Sequence, residues 1–263
     1  MSQPESTSSP VPRPPALRPI GWPEIRLAIS RGLGDFARTP LIGLSFGLLI
    51  AVGGILAVAM MTVLNAGWFA VLIAVLFPLV FPFLAAGIYE VSRSLAAGRP
   101  VTWGSVIAAM WVQHQRQMGW MAFVVLFVFW VWIYQVRIVL AISMGSTASA
   151  NLEKFLAQTV STPSGWSFLA IGSLIGLVLA LVLFSATVIS LPLLFENEID
   201  FVTGLIMSFQ AVARNPAPML GLGVLLTIAT VLAVLPAFLG LILIVPIFGH
   251  STWHLYKLAT GPE

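Results

Sequence analysis

The sequence predicts an all-α fold, a polytopic membrane helix bundle, on three observations. Of its 263 residues, 59% are hydrophobic and only 8% are charged, whereas a soluble domain carries about 25% charged residues. Six apolar runs each approach the ~20 residues that one helix needs to cross a ~30 Å hydrocarbon layer. A short pattern also occurs three times, each time ahead of two apolar runs. Together these predict six transmembrane helices as three parallel hairpins, each preceded by an interfacial amphipathic helix.

The N-terminal segment, residues 1–20, precedes all of these patterns. It contains six prolines and no apolar run, a composition that cannot bury enough apolar surface to offset the entropy of ordering the chain. We predict a disordered cytoplasmic tail here, followed by a single transmembrane domain over residues 21–260.

The repeated pattern is an apolar stripe at helical spacing, which is typical of a helix lying at the membrane surface. In each copy an arginine follows the first apolar residue by thirteen positions (Arg38, Arg116 and Arg214). The repeat units cover about 22–95, 102–195 and 200–258. The stripes are Ile25, Ile29, Leu33 and Phe36; then Trp103, Ile107 and Trp111; then Phe201, Leu205, Phe209 and Val212.

Each repeat helix has a polar residue at its start that can accept hydrogen bonds from free backbone N–H groups: Glu24, Thr102 and Asp200. Arg38–Thr39–Pro40 and Arg214–Asn215–Pro216 predict corners at the other end, because the residue before a proline is pushed out of helical geometry.

The spans are predicted to be helices, since the runs are continuously apolar and do not alternate as the strands of a membrane barrel would. A proline break at Leu235–Pro236–Ala237 separates the last two. The loop 144–165 is predicted to hold a short helix around Leu152–Leu156–Val160. The six spans lie near 41–64, 69–91, 119–142, 167–194, 217–235 and 237–256.

Glycines spaced four apart predict places where helix backbones approach closely in lipid. Two such pairs occur, Gly43 with Gly47 and Gly172 with Gly176.

The distribution of Lys and Arg predicts the orientation. Ten of the twelve Lys and Arg residues are predicted to lie on one side of the membrane. They lie in the N-terminal segment, in the loop between spans two and three, and at Arg214 and Lys257. The other side has Lys154 and Arg137. Because cytoplasmic loops carry an excess of positive residues, both termini are predicted to be cytoplasmic.

Ionisable residues within spans are costly and are therefore candidate ligand or partner sites. Glu90 lies three residues before Arg93, so either a pair on one helix face or a proton or ligand site would explain it. Arg137 lies near the outer end of span three, where it either extends to the interface or contacts a buried partner. Arg116 and Arg214 are further candidates, with lipid phosphate anchoring as the alternative.

His250 and His254 lie four residues apart on one face of the last span, a spacing that can present two imidazoles to a metal. No third ligand is near in sequence, so hydrogen bonding is the alternative, and we predict no metal and no cofactor. There is no cysteine, which excludes disulfides and thiol chemistry.

No catalytic set is present: there is no G-x-S-x-G turn, phosphate loop or metalloprotease helix. The formal charge of +3 gives no electrostatic basis for nucleic-acid binding. We therefore predict that the protein is not an enzyme.

The stretch Leu191–Met219 (LPLLFENEIDFVTGLIMSFQAVARNPAPM) and the segment Gly249–Tyr256 (GHSTWHLY) resemble a bacterial family of predicted integral membrane proteins, domain of unknown function 2189. The resemblance extends from about Gly21 onward. It implies a multi-pass protein of the bacterial cytoplasmic (inner) membrane. Some members carry a cytochrome c oxidase subunit label, but a haem–copper core needs about six histidines within spans, and this chain has three in total.

Three functions are compatible with the sequence. The first is a non-enzymatic accessory, assembly or membrane-organising factor, whose partners are the lipid bilayer and a membrane protein such as a respiratory complex. The second is a small transporter or channel for an apolar or lipid-like substrate. The third is an accessory subunit of a respiratory oxidase.

Overall fold

The computed structural model describes residues 14–63, 67–114, 117–145, 148 and 152–261, and every regular element in them is a helix. Three times along the chain, a helix at the position predicted for an interfacial helix is followed by longer apolar helices, and the placement of the first at the membrane surface stays a prediction. Their bounds are α1 Trp22–Arg38, α2 Pro40–Thr62, α3 Gly67–Ala96, α4 Trp103–His114, α5 Met118–Ser143, α6 Leu152–Ser161, α7 Pro163–Thr187, α8 Ser190–Glu196, α9 Phe201–Arg214, α10 Pro216–Val234 and α11 Leu241–Thr260.

The predicted helix starts are confirmed by their hydrogen bonds. The amide of Gly21 donates to Glu24 Oε2 at 2.7 Å, and that of Ser105 donates to Thr102 Oγ1 at 3.1 Å. At α9, the amide of Thr203 donates to Asp200 Oδ1 at 2.8 Å. Each bond satisfies a donor that has no partner within the helix.

The predicted proline corners are also confirmed. Helix α1 ends at Arg38 and α2 begins at Pro40, while α9 ends at Arg214 and α10 begins at Pro216. Proline suits the first position of a helix, because its missing N–H would have no partner there.

Five helical segments of the described chain are long and apolar enough to cross a membrane: Pro40–Thr62, Val75–Ala96, Met118–Ser143, Pro163–Glu196 and Pro216–Val234. They correspond to the first five predicted spans. Helix α11 corresponds to the sixth, near 237–256, but is not among them. The sixth crossing, the hairpin arrangement and the orientation therefore stay predictions.

Helix α11 is less apolar than the five candidate spans, because the second half of α11 is packed inside the protein. It contains His250, Ser251, His254 and Tyr256, all of them buried. A polar residue that packs against polar groups of other helices does not need to be compatible with lipid. The break before α11 follows the prediction: Ala237 and Phe238 have positive φ angles of 51° and 67°, and α10 ends at Val234.

Helix α11 approaches α1 and α2 closely. A Cβ atom added at Gly32 of α1 would lie 2.7 Å from the backbone nitrogen of Ser251. One added at Gly47 of α2 would lie 2.5 Å from Cα of Ile242. Real Cβ atoms do not approach so closely, so both positions need glycine to allow the helices to pack.

The chain ahead of α1 is packed against the bundle from residue 17 onward. The amide of Arg18 donates to the carbonyl of Ala259 at 2.7 Å, and the amide of Ile20 donates to Asn215 Oδ1 at 2.9 Å. Ile20 is 3% exposed. The packed structure thus begins before residue 21, and residues 1–13 lie outside the described part.

Candidate binding site

A connected set of buried polar side chains joins α1, α3 and α11. Asp35 Oδ2 lies 2.7 Å from Nε2 of His254. Ser92 Oγ lies 2.8 Å from Nδ1 of His250, and its hydroxyl also hydrogen bonds Asp35. All four residues are at most 8% exposed. We call these four residues the polar core.

Asp35 is held as a carboxylate. Burial raises the pKa of the Asp35 carboxyl, but hydrogen bonds from His254 and Ser92 and the charges of His254 and His250 outweigh it, so the pKa lies below its usual range. A buried carboxylate is stable only when paired and hydrogen bonded. The polar core therefore fixes α1 to α11.

A second network, of ion pairs and hydrogen bonds around Glu90, lies on α3. The predicted pair of Glu90 and Arg93 is present as a short ion pair, and Ser94 Oγ donates to Glu90 Oε1 at 3.0 Å. Arg99 lies 3.7 Å from the same oxygen. The Arg93 guanidinium also lies 4.7 Å from the ring centre of Phe195. Glu90 is thus satisfied by its own helix and by the turn after it.

Two hydrogen bonds join α11 to the end of α8. Trp253 Nε1 donates to Glu196 Oε1 at 2.9 Å, and Asn197 Nδ2 donates to the hydroxyl of Tyr256 at 2.7 Å. They hold the final turns of α11 inside the bundle, where Trp253 and Tyr256 are each 3% exposed.

Beside the polar core, a pocket of about 580 Å³ opens at the end of the bundle. Helix α1, the end of α3 and the last turns of α11 form its walls. Asp35 and His254 lie in its inner wall. Its other polar lining residues are four cations, Arg18, Arg31, Arg38 and Lys257, together with the indole of Trp253.

Residues 69–196, from the beginning of α3 to the end of α8, match the model of a family described as predicted integral membrane protein, domain of unknown function 2189. The predicted family resemblance is confirmed over this segment. The family is described as predicted integral membrane proteins, and the description gives no activity. No curated protein and no solved structure matches the chain.

The family segment contains Glu90, Ser92 and Arg93, whereas Asp35, His250 and His254 lie outside it. The pocket is therefore lined mainly by residues on either side of the matched segment.

The structure brings together only some of the predicted site residues. Glu90, His250 and His254 lie in or beside the contact between α3 and α11. Arg137 is exposed on α5 and Arg214 is exposed at the end of α9, and neither lines the pocket. Arg116 lies outside the described residues.

The two histidines bind polar side chains. In the described part of the chain there is no group of three or more His, Asp or Glu residues that could hold a metal. His250 Nε2 is buried and has no partner among the described atoms. The ring nitrogens of the two histidines make separate hydrogen bonds, His250 with Ser92 and His254 with Asp35.

Sequence reasoning missed Asp35 and Ser92. A signal for Asp35 was present, because Ile25, Ala28, Gly32 and Asp35 recur at helical spacing and form the buried face of α1. The small residues on that face mark where α11 approaches. No comparable signal existed for Ser92, which is one of many serines.

Proposed function

We propose that the protein acts in the bacterial cytoplasmic membrane by binding other membrane components, as a non-enzymatic accessory, assembly or membrane-organising factor. The observation that carries this is the pairing of ionisable groups inside the bundle. Asp35 is paired with His254 and Glu90 with Arg93. The first pair joins α1 to α11 and the second lies within α3, so both carboxylates already have structural partners.

The outer helices support the same proposal through their surfaces. In the 18-residue apolar stretch of α2, only 22% is buried inside the protein. In the corresponding stretches of α5 and α10, only 17% is buried. These helices present apolar faces to lipid, as a protein that associates laterally within the bilayer requires. The corresponding stretch of α3 is 61% buried. Helix α3, together with α11, is therefore the centre of the bundle.

We further propose six crossings, with both termini cytoplasmic. The bond between Arg18 and Ala259 supports this, because it joins the two ends of the described chain at one end of the bundle. A chain whose ends meet on one side crosses an even number of times. Helix α11 has 20 residues and, at 1.5 Å per residue, is about 30 Å long, enough for the sixth crossing. The excess of Lys and Arg supports the cytoplasmic side.

Partner capture tests the proposal. The tagged full chain is extracted from its native membrane directly into nanodiscs, and co-purifying membrane proteins are quantified by mass spectrometry. We expect one membrane protein in a fixed molar ratio to the chain. A Gly32→Leu variant is the control for non-specific capture, since we expect it to displace α1 and lose the partner. Recovery of the chain alone, or equal capture by the variant, would refute the proposal.

A further inference from the structure

We propose that the pocket between α1, α3 and α11 binds a phosphate-bearing anion, supplied either by a lipid headgroup or by a water-soluble phosphate compound. The inference goes beyond the proposed function, because a ligand can occupy this pocket whether or not a protein partner exists. It rests on charge, geometry and open space at one end of the bundle.

The first step is the arrangement of α1. Arg31, Gly34, Asp35 and Arg38 all line the pocket. Gly34, Asp35 and Arg38 follow Arg31 by three, four and seven residues, and this spacing places all four on one face of the helix. The two guanidinium groups therefore lie on either side of the opening left by Gly34.

The second step is the charge balance. Arg18 and Lys257 join Arg31 and Arg38 on the lining. Asp35, the one carboxylate that lines the pocket in the described part of the chain, is bound to His254. No carboxylate among the described residues forms an ion pair with any of these four cations. Lys257 instead lies 5.8 Å from the ring centre of Trp253. The pocket consequently carries an excess of positive charge.

A structural explanation accounts for three of these four cations. Arg38 and Lys257 lie in the last turns of α1 and α11, where positive side chains complement the helix dipole. The guanidinium of Arg18 lies against Gly261, the residue that caps α11, so it lies at the same helix end. Arg31 lies about two turns before the end of α1, is not placed to complement a helix end, and still lines the pocket.

The geometry favours phosphate as the ligand. Arginine presents a planar fork of donors that matches phosphate oxygens, and it is only weakly hydrated compared with an ammonium group. A Cβ atom placed at Gly34 would meet no atom of the described residues within 4 Å. Space is therefore open between Arg31 and Arg38, and about 580 Å³ is ample for a phosphate with an attached group.

The test uses the full chain and two probes. Retention of phosphatidylglycerol is counted by native mass spectrometry after extraction from vesicles of phosphatidylcholine and phosphatidylglycerol. Inorganic phosphate is titrated by calorimetry against the chain in nanodiscs of phosphatidylcholine alone. Retained phosphatidylglycerol without phosphate binding supports the lipid source, and phosphate binding supports the soluble source. Binding of neither probe overturns the proposal.

Single substitutions distinguish a specific binding site from a general attraction of anions to a positive surface. We expect Arg31→Gln and Arg38→Gln each to weaken binding about fivefold, the loss expected for one cation near a phosphate surface. Arg26→Gln is the matched control, because Arg26 is exposed on α1 and does not line the pocket. An equal loss with Arg26→Gln contradicts the proposal.

Substitution of Gly34 separates charge from size. Gly34→Glu would place a carboxylate between the two arginines, and we expect it to abolish binding. Gly34→Gln has nearly the same size without the charge, so we expect a smaller loss. Circular dichroism and the melting temperature show that each variant is folded. Equal loss with the two substitutions contradicts recognition by charge.

Discussion

Helices α1 and α4 carry the same thirteen-residue pattern, yet they bury it to different extents. In α1 the first residue of the stripe, Ile25, is 4% exposed, Ile29 and Phe36 are half-buried, Leu33 is 46% exposed, and the helix lies along α11. In α4 all three stripe residues face outward: Trp103, Ile107 and Trp111 are 47%, 59% and 71% exposed.

The difference follows from the residues beside each stripe. The buried face of α1 contains Ala28 and Gly32, which allow α11 to approach. Helix α4 contacts α3 and the end of α8 instead, with Val106 fully buried and Gln113 Nε2 donating to the carbonyl of Phe195 at 3.3 Å. An apolar stripe thus predicts that a helix is amphipathic, while small residues determine which face meets another helix. Exposed tryptophans at a bundle end suit the lipid interface.

The largest expected effect comes from bulk at the contact of α1 with α11. Gly32→Leu should lower the free energy of unfolding by ~3 kcal/mol, because Ser251 and the backbone of α11 must move. The measurement is reversible unfolding in mixed micelles. Gly104→Leu in α4 is the matched control, since among the described residues its Cβ would meet only Thr102 Oγ1, at 3.8 Å. If both variants lost the same stability, α1 and α4 would not differ as described.

Removal of the Asp35 carboxylate should have the next largest effect. Asp35→Ala would leave His254 buried without its partner, at a cost of ~2 kcal/mol in the free energy of unfolding. Thr102→Ala, which removes an exposed helix cap on α4, should cost ~1 kcal/mol. A smaller loss for Asp35→Ala than for Thr102→Ala would argue against a polar core that holds α1.

The same carboxylate should produce a pH dependence. Because its pKa is lower in the folded protein, its contribution is complete above the unfolded pKa of about 3.9 and is lost as the pH falls through the folded value. Unfolding measured from pH 7 downward should therefore show a steeper loss of stability in the wild type than in Asp35→Asn. Parallel curves would contradict the lowered pKa.

The smallest expected effect belongs to the exposed stripe of α4. Trp111→Ala should change the free energy of unfolding by no more than ~0.5 kcal/mol, since the side chain is 71% exposed. Trp253→Ala, which removes a buried ring and its bond to Glu196, is the comparison and should cost ~3 kcal/mol. A large loss for Trp111→Ala would show that α4 is held by its stripe.

Much of the helix order could be predicted from the sequence because apolar runs, caps and prolines act locally. The starts of α2 and α10 at Pro40 and Pro216 followed from proline chemistry, and the short helix predicted around Leu156 is present as α6. Helix α11 was predicted as the sixth span, but the partners of its buried histidines lie on distant parts of the chain, so local patterns could not indicate them.

The glycine pairs show where local pattern stops being informative. The prediction for Gly43 and Gly47 is confirmed, since both lie against other parts of the bundle: Gly43 against Phe36 and Pro246, and Gly47 against Ile242. The prediction for Gly172 and Gly176 is wrong. Added Cβ atoms there would meet nothing within 4 Å and a Trp132 atom at 3.9 Å, respectively, among the described residues. Spacing alone cannot tell which face of a helix another helix will cover.

The polar core was beyond sequence prediction for the same reason. Asp35 and His254 are 219 residues apart, and only the folded positions of α1 and α11 bring them together. The pocket depends on the same placement, since its cations come from the N-terminal segment, α1 and α11.

A double-mutant cycle on Asp35 and His254 tests the central claim, that their contact fixes α1 to α11 as part of the bundle core. The free energy of unfolding is measured for the wild type, Asp35→Asn, His254→Gln and the double variant. We predict a coupling energy of at least ~1 kcal/mol, because each single change leaves the other buried group without its partner. Effects that add within ~0.5 kcal/mol would contradict the claim.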